Sequence, residues 1–379
     1  MVNSTDACKN QMEVCKTRFK ERNWIRLRKR SLGLVIALTM ALIATSSARP
    51  AELSALLETA KKEASEGPLS LAILQPNQAA TYQALFKAFN QRFGLSGTYE
   101  WQPLDSNYYV RVIAEFQAGR RTPDILTTSP GNMIALDKTG LLDAYDWIGV
   151  FAKELPAIRE AVDRTIEPLR GKTLAHMDVI YTMVYNTRLV PANDVPKRIE
   201  ELTNSRWQRK LTVTASGTPF NTLGIALGKE RILEMARAVK ANRPVYKPHT
   251  PAVVAAVVAG ETPLGFGYTT GADLEKSKGA PVDWLPLRDY IPLLQTNMAV
   301  LKGGQRPNLA RLFAAWMVSD GMTIQEQLEF MGRATARGTR TWQRLNDMSP
   351  KAQVVEEKTA EETALRVQLT KEITNIFTQ

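Results

Sequence analysis

From about residue 51 onward, short apolar runs alternate with longer stretches whose apolar residues recur every three or four positions. ELSALLETAKKEASEG carries Leu53, Leu56, Leu57 and Ala60 at helical spacing and stops at Gly67. LSLAIL follows as a short apolar strand, and QPNQAATYQALFKAFNQRFG then places Tyr82, Leu85, Phe86 and Phe89 on the buried stripe of a second helix. The order repeats. TYEWQPL reads as a strand, SNYYVRVIAEFQAG as a helix, DILTTS as a strand with its loop, and PGNMIALDKTG as a helix with Pro130 in its first turn. A strand that runs through a polar loop into a helix is a βα unit, and its recurrence predicts an α/β fold with a mainly parallel sheet covered by helices on both faces.

A second series follows a connecting stretch rich in acids and prolines. LAHMDVIYTMVYN reads as extended, RIEELTN as a short helix, LTVTAS as a buried strand, and NTLGIALGKERILEMARAVKAN as one helix. AVVAAVVAG is helical, TPLGFGY and GAPVDWLPL are strands, NMAVLKGG is a strand, and NLARLFAAWMVSD is a strongly amphipathic helix. The acid- and lysine-rich end, KAQVVEEKTAEETALRVQLTKEITNIF, reads as one more helix. The chain carries no internal repeat and no low-complexity tract.

The N-terminal region has another character. Up to Arg30 it holds nine Lys or Arg against three acids, and SLGLVIALTMALIATSSA then gives an apolar core closed by small residues. The core, Leu32 to Ala44, is shorter than the roughly 20 residues a membrane-spanning helix needs. The pattern is that of a secretory signal over residues 1–48, cleaved after Ala48 with Ser46 and Ala48 as the small residues, rather than an uncleaved anchor. It implies a periplasmic protein. Removing those residues lowers the formal net charge from +11 to +5, so the basic character is largely a targeting feature and nucleic-acid binding loses its support. Cys8 and Cys15 go with the signal, which leaves no thiolate nucleophile, disulfide or Cys-ligated metal in the remaining chain.

Five stretches in order carry a resemblance: AEFQAGRRTPDILTTSPGNMIALDKTGLL, VIYTMVYNTRLVP, RIEELTNSRWQRKLTV, VVAGETPLGFGY with KSKGAPVDW, and NMAVLKGGQRPNLARLFAAWMVSDGM. Together they cover most of residues 69–335 and resemble the extracellular solute-binding proteins of ABC importers, specifically the ferric-iron-binding branch of the type II periplasmic fold. The resemblance implies two lobes with a ligand cleft between them. Lobe 1 would combine residues 49–175 with 292–379, and lobe 2 would be the insert 176–291. It also implies a monomer that takes a small-molecule ligand, works with an inner-membrane permease and its ATPase, and needs no cofactor. The same cleft follows from the βα pattern, since ligands of open α/β sheets sit beyond the strands' carboxyl ends, at helix N-termini.

Three loops fit that position. In the first, Gln75 and Asn77 lie between strand and helix, Asn77 either meeting ligand or capping the helix. In the second, Thr128 and Ser129 precede the proline-started helix; in the third, Ser216, Thr218 and Asn221 precede another, with ligand contact and plain capping both open. Of Tyr108 and Tyr109, neighbours on a helix, one is expected against the sheet and Tyr109 toward the cleft. His176 and His249 lack the spacing of a zinc site, so no metal site is assigned. Asn186 and Asn297 are expected on the strands that cross between lobes.

PLGFGYTTGADLEKSKGAPVDW is the most diagnostic stretch. Relatives that hold bare ferric iron carry two adjacent tyrosines here, because Fe(III) favours phenolate oxygen, whereas this chain has Tyr268 followed by Thr269. Tyr268 and Thr269 suit an organic molecule or an oxyanion better. The expectation is a solute-binding component of an import system that takes a small organic or phosphorylated anion, with ferric iron or an iron chelate as the alternative. A ligand sensor for a membrane receptor would have the same sequence signature. An enzyme is not expected, since neither a thiol nor a Ser-His-Asp order stands near the loops.

Overall fold

A computed structural model describes residues 52–73, 79–102, 108–330 and 338–379. The expected signal peptide and the candidates Gln75 and Asn77 lie outside the described residues. In the first series α1 covers 52–66, followed by β1 (Leu69–Ala72), α2 (Ala79–Phe93), β2 (Tyr99–Gln102), α3 (Tyr108–Gln117), β3 (Ile125–Thr128) and α4 (Pro130–Asp137). Two short helices, α5 (Trp147–Phe151) and α6 (Ile158–Asp163), lead to the long strand β4, Leu174–Asn186.

The second series comprises β5 (Leu211–Thr214), α7 (Phe220–Leu227), α8 (Lys229–Ala241), β6 (Val245–Lys247), α9 (Thr250–Val258), β7 (Leu264–Tyr268), α10 (Thr269–Ser277), β8 (Val282–Leu285) and β9 (Tyr290–Val300). The single helix expected over 221–242 is two, because Gly228 ends α7 at φ 83°, a backbone state open to glycine. The chain closes with α11 (Pro307–Trp316), a π-helical turn at Met317–Gly321, α12 (Met322–Glu329), α13 (Arg340–Met348), β10 (Gln353–Val355) and α14 (Ala360–Thr378). The C-terminal stretch expected as one helix therefore begins as a strand. Thr359 and Glu362 form a capping box that fixes where α14 starts, the Thr359 hydroxyl accepting from the Glu362 amide.

The sheet runs β2-β1-β3-β9-β4-β7-β5-β6. β2, β1 and β3 are parallel, as are β7, β5 and β6. Between these halves β9 and β4 pair antiparallel with each other and with the strands beside them. β10 adds to β9 and β8 to β4. Two parallel half-sheets thus share one central antiparallel pair, and Asn297 and Asn186 lie on its two strands as expected.

Each half buries its own core. In the first, Ala72, Leu126 and Ala299 of the sheet pack with Tyr108 and Val112 of α3 and Met133 and Leu136 of α4. Beside it Phe86 stacks on Tyr99 at 3.9 Å and Phe89 meets Phe313 edge-on, which ties α11 to α2. The second core joins β4, β5 and β7 to α7–α10 and takes in Leu345, Leu369, Ile373 and Phe377. α13 and α14 therefore pack on elements of the stretch 176–291, although everything from residue 292 onward was expected with the other lobe. Arg344 of α13 makes that attachment polar as well: Nη2 donates to Asp283 Oδ1 at 2.6 Å and to the Trp284 carbonyl at 2.7 Å, and the guanidinium covers the Trp284 ring.

Two buried carboxylates fix the start of α11. Glu63 accepts from the Asn308 and Leu309 amides and from Asn308 Nδ2. Asp124 accepts from the Ser70 amide at 2.8 Å and the Arg306 amide at 2.8 Å, and from that of Gln305. Replacing Asp124 with Ala takes the acceptor from the buried Ser70 amide and from the part-buried amides of Gln305 and Arg306, and a buried donor left unsatisfied costs about 1–3 kcal/mol. Urea unfolding of Asp124→Ala should therefore show a loss of about 1–3 kcal/mol, with Asp124→Asn losing less. A second expectation concerns acid. Burial pushes the Asp283 carboxyl up, but hydrogen bonds from Lys276 and Arg344 outweigh it and hold it below its ordinary range. Its stabilising contribution is present above the ordinary carboxylate pKa of about 3.9 and is lost as pH falls through the lower folded value. The acid limb of a stability–pH curve should accordingly be shallower in Asp283→Asn than in the parent.

Candidate functional site

Glycines in β7 shape the site. In LGFGY the side chains of Leu264 and Phe266 are buried on one face, with Phe266 edge-on to Phe220 at 5.4 Å. On the other face Gly265 and Gly267 leave no room for a side chain: a Cβ on Gly265 would stand 2.8 Å from Val253 and 2.9 Å from Val257, and one on Gly267 would stand 2.8 Å from Val184. α9 therefore lies directly on β7. Its start is set by His249, whose Nδ1 accepts from the Ala252 amide at 3.2 Å, and by Pro251 in the first turn.

β7 passes without a loop into α10, with Tyr268 as the N-cap residue in extended conformation. The Tyr268 ring folds over the first turn of α10. A Cβ on Gly271 would meet it at 2.5 Å, so the space for the ring is the space of a missing side chain. Tyr268 then lines a cavity of about 110 Å³ with Thr250 and Pro251 of α9, with Met177, Val179 and Tyr181 of β4, and with Leu294 and Thr296 of β9. Met177, Val179 and Tyr181 alternate along β4 and so share one face. Asp178 between them faces away and accepts from Arg164 Nη2 at 2.8 Å, which also reaches Glu356.

The cavity is a setting for neutral donors near two helix N-termini. Burial, with a smaller push from Glu275, raises the Tyr268 hydroxyl to about 12, and burial raises Tyr181 as well. Both phenols are protonated donors at neutral pH. α9 and α10 begin at this point, and helix N-termini carry partial positive charge. Thr269, the first residue of α10, is fully buried, and its Oγ1 has no hydrogen-bond partner among the described residues. Among the described residues, no three His, Cys, Asp or Glu side chains come together as a metal site needs.

Of the described candidates, only Tyr268 lines the cavity. Thr128 is buried at the end of β3, its hydroxyl accepting from Asn132 Nδ2, and Ser129 precedes α4 without a side-chain cap bond. Ser216 and Thr218 belong to a hydroxyl cluster with Thr214, while Asn221 Nδ2 donates to Thr370 of α14 at 2.8 Å. Tyr108 is the buried member of its pair and bonds Gln102, whereas Tyr109 is half-buried against the first core. Thr250 and Pro251 were missed, although YKPHTP carries the same strand, loop and proline-started helix as the second loop.

The family profile described as bacterial extracellular solute-binding protein matches residues 75–324. Solved structures share the fold at low identity. Iron-bound HitA from Pseudomonas aeruginosa is 18% identical with TM-score 0.60, over 81% of this chain and 99% of that one. An ABC transporter substrate-binding protein from Bradyrhizobium japonicum is 12% identical with TM-score 0.66, over 83% of this chain and 100% of that one. AfuA from Actinobacillus pleuropneumoniae, with fructose-6-phosphate bound, is 18% identical with TM-score 0.59, over 82% and 98%. A search of curated protein sequences gives no match. The expected fold, two α/β lobes of the type II periplasmic-binding kind, is thereby established.

The close approach of α9 to β7 can be tested directly. Gly265→Val forces two valine side chains apart and should cost about 1–3 kcal/mol of overpacking in urea unfolding. A stability equal to the parent's would mean that α9 does not rest on β7 as described.

Proposed function

The chain belongs to the bacterial extracellular solute-binding proteins, and from that premise we propose that it is the periplasmic capture component of an ABC importer, closing its lobes on a small anion. The observation that carries this reading is the Tyr268 phenol beside the starts of α9 and α10, on the face of β4 and β9 that both half-sheets share. The signal over residues 1–48 would deliver it to the periplasm as a monomer, where an inner-membrane permease with its ATPase would accept the solute. No catalysis is required. Contacts that form only when both lobes touch the solute shift the population toward the closed state.

An anion is favoured on chemistry. Helix N-termini and protonated phenols donate hydrogen bonds and offer no charge to a cation. A cavity of about 110 Å³ is several times the roughly 10–15 Å³ that a single water needs, which leaves room for a carboxylate or phosphate head. Ferric iron fits less well. Tyr268 is followed by Thr269, so adjacent phenolates are lacking, and a phenol raised to about 12 gives up its proton reluctantly.

The test is thermal shift and calorimetry on residues 49–379 with phosphate, acetate, lactate, succinate and fructose 6-phosphate, and with ferric citrate and spermidine as contrasts. At least one anion should raise the melting temperature at a single site. Tyr268→Ala, and Gly271→Ala through displacement of the Tyr268 ring, should each weaken it by about tenfold or more, the loss of one buried donor; Ser129→Ala probes the second loop. If no anion binds, or if a hit is untouched in both the Tyr268 and Ser129 variants, the proposed cleft site is wrong.

A further inference from the structure

The C-terminal helix lies between two of the candidate loops. At α4, a Cβ on Gly131 would stand 3.2 Å from Thr363 Cγ2, 3.6 Å from Val367 Cγ2 and 4.0 Å from Arg366 Nη2. One turn further along α14, the Thr370 hydroxyl accepts from Asn221, and Ile373 fills the space that a side chain on Gly217 would need. Arg366 is therefore held between loop 127–132 of the first half and loop 216–222 of the second. Its side chain is only 13% exposed.

Arg366 Nε donates to Oε1 of Glu357, whose side chain is 4% exposed and whose Oε2 is buried without a hydrogen-bond partner among the described residues. The charges of Arg366 and Glu357 are felt at Tyr181, which lines the cavity and pairs with Tyr268 across β4 and β7. Ser129 leaves the start of α4 without a side-chain cap, two residues before Gly131, where a Cβ would stand 4.0 Å from Arg366 Nη2. A buried ion pair with one unsatisfied carboxylate oxygen is a weak stabiliser, because desolvation offsets much of its attraction. The same guanidinium offered to a solute carboxylate or phosphate would make charge-assisted, bidentate bonds at a site where helix N-termini add further donors.

We propose that Arg366 is the counter-ion of the solute's anionic group, and that Glu357 is the resident carboxylate that occupies it until solute arrives. Exchange is like for like: the incoming anion takes the guanidinium, Glu357 turns to water on the short linker between β10 and α14, and the buried charge stays balanced. Arg366 thereby sets specificity for anions, and Glu357 sets how strong an anion must be to enter. This rests on the anion reading of the cleft.

The two substitutions should have opposite signs, which a merely structural ion pair would not produce. Titrating inorganic phosphate, acetate and succinate by calorimetry, Arg366→Gln should weaken the anion that binds the parent by about tenfold or more, since a buried charged partner is lost. Glu357→Gln should tighten it by about threefold or more once the internal competitor is neutral. Arg366→Lys should fall between parent and Arg366→Gln, and circular dichroism checks that each variant is folded. If Tyr268→Ala weakens an anion that Arg366→Gln leaves within about twofold, the counter-ion assignment is overturned while the cleft reading stands. Weaker binding in folded Glu357→Gln overturns it equally. Should Arg366→Gln fail to fold, the sign of the Glu357→Gln effect decides alone. Absence of binding by all three anions in the parent, with a neutral or cationic solute bound instead, overturns both readings.

Discussion

The antiparallel pairing of β4 with β9 is the constraint on which the rest depends. These are the two strands that belong to both half-sheets, and every described element of the cavity is on them or rests on them. Their register decides which side chains meet solute. Past a register shift between Ala175 and Asp178, alternation along β4 puts Met177, Val179 and Tyr181 on one face and turns Asp178 to Arg164. A slip by one residue would send a carboxylate into the cavity and three apolar or phenolic groups to the other side. Asn297, fully buried, helps to prevent that slip: it accepts from Gln295 on its own strand and donates to Thr173 just before β4.

Strand β7 converts this fixed frame into a pocket by subtraction. Its two glycines let α9 approach until valines occupy the space of the missing side chains, and Gly271 lets the Tyr268 ring fold onto α10. α9 and β7 are close because backbone, rather than side chain, faces α9 at Gly265. The cost is local, since glycine in a strand gives up packing and conformational restriction. It is met elsewhere in the molecule by carboxylates that each satisfy several backbone or amide donors at once, Glu63 and Asp124 above all.

The alternating order of strands and helices was legible in the sequence because periods of 2 and 3.6 survive wherever one face is buried. Both shared strands were readable too, LAHMDVIYTMVYN as a nearly unbroken apolar run and NMAV as the end of the longer β9. The break at Gly228 was not, since a glycine inside a helical pattern looks the same whether it bends, ends or continues the helix. Nor was β10, whose three residues owe their strand geometry to pairing with Tyr290–Pro292 far away in sequence. Within the site, Tyr268 stood out by its family context and by the glycines around it. Tyr181, Thr250 and Thr296 did not, because a strand residue announces which face it shares with its neighbours but not what that face meets across the fold.

The same blindness hid where α14 packs, though its helix was legible, and it has a physical reason. Its sequence is that of a solvated, charge-rich helix, and most of its length behaves as one. What draws it into the molecule is the absence of side chains at Gly131, Gly217 and Gly224, positions 130 or more residues upstream, which leaves grooves that Thr363, Ile373 and Leu369 fill. Complementarity between a surface of glycines and a row of ordinary helix residues leaves no periodic mark in either partner. Once α14 lies in those grooves, the helical spacing carries Arg366 to the buried side between them, where a guanidinium must find a carboxylate or forgo the fold. Glu357 satisfies that requirement from within the chain, with one oxygen left over. A solute anion could satisfy it from outside with both.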